Sequence, residues 1–136
     1  MYCDGKNSLV LMKLKTLFII NAFLLGASGI SAVLKPAIVC FIYGVDINSE
    51  VLMMSQYAGL GSIAVALVAW FCRKVKDARS LRGILLALLI TYTVGVIISV
   101  QNTISGVIAY GWPVIVLYSG FAIGYAYFLF SGRFKE

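Results

Sequence analysis

Four stretches of this chain, residues 16–34, 51–72, 81–101 and 112–130, hold no acidic or basic side chain between their ends; Arg82 stands at the edge of the third. A helix that crosses a bilayer needs about 20 mainly apolar residues. Four such stretches in 136 residues leave room only for short connections. Hydrophobic residues make up 62% of the chain, against about 45–50% in soluble domains, and a soluble core of this length cannot bury the surplus. The expectation is an all-α polytopic membrane protein: one domain over residues 1–136, with four transmembrane helices in an antiparallel bundle.

The basic residues give an orientation. Lys6, Lys13 and Lys15 precede the first stretch, Arg73, Lys74, Lys76, Arg79 and Arg82 lie around the connection between the second and third, and Arg133 and Lys135 follow the fourth. Four spans put all of these on one side and leave only Lys35 on the other. Positive charge collects on the cytoplasmic side, so both termini are expected in the cytoplasm and the chain in the cell (plasma) membrane as a multi-pass protein. The net charge of +6 therefore reads as a topology signal with attraction to lipid headgroups, not as a nucleic-acid surface. The basic residues before the first span and the small residues Gly29 and Ser31 also fit a cleaved signal peptide; three further spans favour an uncleaved helix.

Local signals mark the breaks. Pro36 disfavours helix at Lys35, so residues 37–43 continue a kinked helix, re-enter the bilayer or lie along its surface. Asp46, Asn48 or Ser49 can cap the second span and Ser80 the third. Pro113 sits in the first turn of the fourth, where a missing N–H costs little.

Within lipid, helices associate through small residues that let backbones approach. The third span carries Gly83, Ala87, Thr91, Gly95 and Ser99 at every fourth position. The second has Ser55, Gly59, Ser62, Ala66 and Ala69, the first Ala22, Gly26 and Gly29, and the fourth Gly120 and Gly124. These faces serve packing within one bundle or, at Gly120 and Gly124, a dimer.

Chemistry is harder to find. Proton-coupled transport and acid–base catalysis draw on ionisable groups at membrane depth, and no Asp, Glu, Lys, Arg or His stands between the span ends. There is no His in the chain, and Cys3, Cys40 and Cys72 form no C-x-x-C pair, so no metal site or cofactor is expected. Cys72, beside Arg73 and Lys74, reads either as a palmitoylation site or as an ordinary small apolar residue. Gln56, Tyr57, Gln101, Asn102 and Trp112 fall near the outer helix ends; they form the mouth of a polar pocket, or serve as interhelical bonds and interfacial anchors. Asn21 and Tyr92 each need a partner in the dry region and can meet each other. Tyr125, Tyr127, Phe128 and Phe130 read as an aromatic belt at the inner interface.

Short motifs run along most of the chain: Pro36, Tyr43-Gly44, Gln56-Tyr57-Ala58-Gly59, Arg82-Gly83, Ser105-Gly106 and Gly124-Tyr125-Ala126-Tyr127. In these the chain resembles small bacterial and archaeal four-helix membrane proteins, DoxX-like in architecture. The resemblance implies a four-helix bundle and brings no catalytic residue with it. The function expected is that of an interaction, assembly or accessory subunit whose partners are membrane lipids, a second copy or another membrane protein. A carrier or channel for a neutral or apolar small molecule is the alternative, and a lipid-modifying enzyme the weakest reading.

Overall fold

Proline decides where the first long helix stops. The computed structural model of the chain describes residues 4–75 and 77–131; Cys3, Lys76, Arg133 and Lys135 fall outside the described residues. Helix α1 runs Asp4–Leu34 and α2 runs Pro36–Tyr43, with Lys35 between them at φ −139°, ψ 62°. A residue before proline avoids helical geometry because the ring crowds its N–H and Cβ. Residues 37–43 are thus a separate short helix. Helix α1 also starts about three turns before Thr16, and its 31 residues span about 46 Å at 1.5 Å per residue, longer than a hydrocarbon core of about 30 Å.

Helices α3 (Ser49–Cys72), α4 (Ala78–Ile104) and α5 (Trp112–Phe130) complete the fold, and no strand occurs among the described residues. Four segments are long and apolar enough to cross a membrane: Leu11–Leu34, α3, α4 and α5. Asn48 caps α3, its side chain accepting from the Val51 N–H at 2.8 Å. Helix α4 begins three residues earlier than Ser80 would place it. Asp77 is the cap, accepting from the Ser80 N–H at 2.7 Å. Hydrogen bonds from the Ser80 side chain and backbone hold the Asp77 carboxyl below the usual carboxylate range.

The long helices pair as two hairpins, α1 with α3 and α4 with α5. In the first, Phe23 meets Trp70, Gly26 faces Ala66 and Gly29 faces Gly59. The residue numbers fall on one helix as they rise on the other, so the two run in opposite senses. A Cβ on Gly29 would lie 2.7 Å from the Gly59 carbonyl oxygen, and one on Gly59 would lie 2.8 Å from that of Gly29. In the second hairpin Gly95 makes room for the Tyr118 ring, which a Cβ there would meet at 2.7 Å.

The every-fourth-residue line on α4 does not form one packing seam. Gly83, Ala87 and Thr91 are exposed, whereas Gly95 and Ser99 are half-buried. The buried face is Leu81, Leu85, Leu88 and Tyr92. The reason is the helical pitch. At 3.6 residues per turn each four-residue step overshoots by about 40°, so four steps rotate the line by roughly 160°. Gly120 also faces open space, while Gly124 packs against Leu17 of α1.

The hairpins join through one core: Leu14, Phe18, Ala22 and Leu25 of α1, Ala66 and Ala69 of α3, the buried face of α4, and Phe121, Tyr125 and Phe128 of α5. A second tie lies at the other end, where the Tyr110 N–H donates to the Tyr43 carbonyl at 3.2 Å. Gly44 makes that turn at φ 65°. A Cβ there would lie 2.7 Å from Ala109 Cβ. Gly106 has φ 75° but open space around it. Gly44→Ala should therefore cost about 2 kcal/mol and Gly106→Ala about 1 kcal/mol, the difference being the collision added to left-handed strain. Unfolding in mixed detergent micelles measures both.

Candidate functional site

A polar side chain in an apolar helix must find a partner, and Asn21 finds two. It is fully buried on α1, at 0% exposure. The Tyr92 hydroxyl of α4 donates to Asn21 Oδ1, and Asn21 Nδ2 donates to the Tyr125 hydroxyl of α5. Tyr92 is 2% exposed and Tyr125 0%. One amide thus ties α1 to both helices of the other hairpin.

Stacking holds the two phenols in place. The rings of Tyr92 and Tyr125 are 5.8 Å apart and inclined at 22°. Phe121 stacks on Tyr92 at 5.1 Å, Tyr118 meets Tyr92 edge-on at 5.5 Å, and Phe18 lies 5.9 Å from Tyr125. Offset and tilted rings at such distances attract beyond their simple burial. Among the described residues no buried side-chain N or O atom lacks a partner.

This cluster has the character of a structural clasp. Amide and phenol are neutral near pH 7. Among the described residues no ionised group is hydrogen-bonded to them to drive proton transfer. Among the described residues no group of His, Cys, Asp or Glu is arranged to hold a metal ion.

Among the described residues no side-chain hydrogen bond joins the outer polar residues to one another. The Gln56 amide donates to the Val33 carbonyl at 3.2 Å, one of the carbonyls left without a helical partner where Pro36 ends α1. Gln101 is exposed and Asn102 half-buried on α4. Tyr57 and Trp112 are 63% and 66% exposed. Helix α3 packs on α1 and α2, and α4 on α5, so Gln56 and Gln101 belong to different hairpins.

Tyr125 lies elsewhere than the sequence pattern places it. It was expected in the inner aromatic belt, as was Phe128, yet both are buried, while Tyr127 and Phe130 face outward. A signal existed: Phe121, Tyr125 and Phe128 fall at i, i+4 and i+7, one face of a helix. No family model, no curated protein and no solved structure matches this chain.

Proposed function

We propose that this chain is a small integral membrane protein that acts by interaction, as an accessory or assembly subunit. The observation that carries this is the outward placement of Gly83, Ala87 and Thr91 on α4. Small residues at membrane depth let another helix approach closely, and here no helix of the same chain uses them. The neutral, fully partnered Asn21 cluster supports the same reading, because it joins helices and leaves no group poised for chemistry. The carrier reading draws less support: the Gln56 amide is committed to Val33.

The proposed setting is the cell membrane with both termini cytoplasmic, on the ten-to-one division of basic residues. The DoxX-like resemblance belongs to the same proposal, as an architecture without an assigned activity. Purification in mild detergent, followed by native mass spectrometry, tests the role. A second copy or another membrane protein should accompany the wild-type chain, and Ala87→Leu should release it with about a tenfold loss of association, the equivalent of about 1.4 kcal/mol. A strictly monomeric protein with no companion overturns the reading.

A further inference from the structure

The pairing of α1 and α3 leaves an apolar groove of about 460 Å³ on the outside of the hairpin. Its floor is Gly26 and Ala66, its sides include Ala27, Ile30 and Ile63, and Trp70 stands at one end. It follows from the close Gly29–Gly59 approach: helices that touch through small residues leave a furrow where the side chains are missing. From Ile63 to Trp70 it runs about 10 Å along the helix at 1.5 Å per residue. That is most of one leaflet, half of a hydrocarbon core about 30 Å thick.

The Trp70 end carries a charge. The Arg73 guanidinium carbon lies 3.2 Å from the Trp70 ring centroid. A guanidinium held over an aromatic ring keeps its N–H donors at its edges, in the fork that suits a phosphate. No carboxylate pairs with Arg73 among the described residues, and exposed Lys74 follows it. The groove is thus apolar along its length and cationic at its interfacial mouth.

We propose that this groove holds one acyl chain of an anionic phospholipid, with Arg73 bound to the phosphate. The dimensions favour a chain over a protein helix. The groove, about 460 Å³ and lined by apolar side chains, takes one slender chain along its length, whereas a helix is about 10–12 Å across with its side chains. Basic pockets between transmembrane helices on the cytoplasmic side are where anionic headgroups bind. The proposal rests on the chain spanning a membrane with Arg73 on the cytoplasmic side, as proposed above, and not on its acting as a subunit.

Trp112→Phe leaves Trp70 as the sole tryptophan, since the chain has two. This variant is reconstituted into phosphatidylcholine vesicles that contain a small fraction of brominated phosphatidylglycerol or brominated phosphatidylcholine, and Trp70 quenching is read. The brominated anionic lipid should be preferred about fivefold, the factor expected for one basic residue near the surface. Adding Arg73→Gln should bring the preference to about one. Ala27→Phe, an outward-facing change that fills the groove, should also abolish it with Arg73 intact, which guards against a misfolded Arg73 variant. Adding Arg82→Gln should leave it unchanged. Equal quenching by the two lipids overturns the proposal, as does a preference that survives Arg73→Gln or falls equally with Arg82→Gln. Quenching by neither lipid shows the groove covered by protein and overturns it too. Ala87→Leu should not alter the quenching, so loss of the lipid site and loss of a protein partner are separable.

Discussion

Gly59→Ala will lower the stability of the folded protein by about 3 kcal/mol, the upper part of the range for overpacking a close contact. The added methyl would lie 2.8 Å from the Gly29 carbonyl oxygen and 2.9 Å from Ala32 Cβ. Neither neighbour is a flexible side-chain end that can swing away. Helices α1 and α3 must therefore separate, which loosens the contacts at Gly26 and Ala66 as well. Gly29→Ala should cost a similar amount, and the double variant clearly less than the sum, because the first methyl has already parted the backbones. Gly83→Ala and Gly120→Ala are the contrast. Nothing lies within 4 Å of a Cβ at either position, and alanine is the better helix former by about 1 kcal/mol. Both should be neutral or slightly stabilising. Detergent unfolding followed by circular dichroism reads all five variants, and equal losses at Gly59 and Gly83 would contradict the packing described here.

That contrast also shows what the sequence could and could not disclose. Length and hydropathy mark the four long helices, because burial in lipid is a property of composition. They do not say which face of each helix meets protein. On α3, Gly59, Ser62, Ala66 and Ala69 alternate steps of three and four, which tracks the helical pitch, and Gly59, Ala66 and Ala69 are buried. On α4 a strict step of four drifts round the helix, so Gly83 and Gly95 look in different directions. In a soluble protein the apolar face would have settled the matter. In lipid both faces are apolar, and only shape distinguishes them.

The polar residues behave the same way. Asn21 and Tyr92 stand out because an amide and a phenol are costly in hydrocarbon. The structure brings them together, although 71 positions separate them. Tyr125 gave no such warning, since a tyrosine near a helix end is ordinary at an interface. Its place on the apolar face with Phe121 and Phe128 turns it inward, and there it meets the second hydrogen-bonding group of Asn21, a partner that exists only once three helices have met. Gln56 shows the converse: its partner, the Val33 carbonyl, becomes free only where Pro36 has ended α1.

Asn21→Leu should therefore be as damaging as any helix-seam variant, at about 3 kcal/mol. Leucine keeps the four side-chain heavy atoms of asparagine and its branching at Cγ and suits lipid better, so hydropathy alone would favour the change, and its bulkier methyls add only part of the cost. The cost arises from what stays behind. Two buried hydroxyls lose their partner, and each unsatisfied polar group costs about 1–3 kcal/mol. Interhelical bonds in membranes average only about 0.6 kcal/mol, because side chains find other partners when helices part. Here Tyr92 and Tyr125 are locked by stacking on Phe121 and on each other, which denies them that relief. Tyr92→Phe alone should cost about 1 kcal/mol, since it leaves only one Asn21 acceptor to be served. The decisive comparison is the triple variant Asn21→Leu, Tyr92→Phe, Tyr125→Phe. Removing every partner together leaves no orphan, and such replacements are nearly neutral. The triple variant should thus be more stable than Asn21→Leu by about 2 kcal/mol, a reversal that simple loss of contacts cannot produce. If the losses instead add with each substitution, the clasp is not a mutually satisfied network and the core between the two hairpins rests on apolar packing alone.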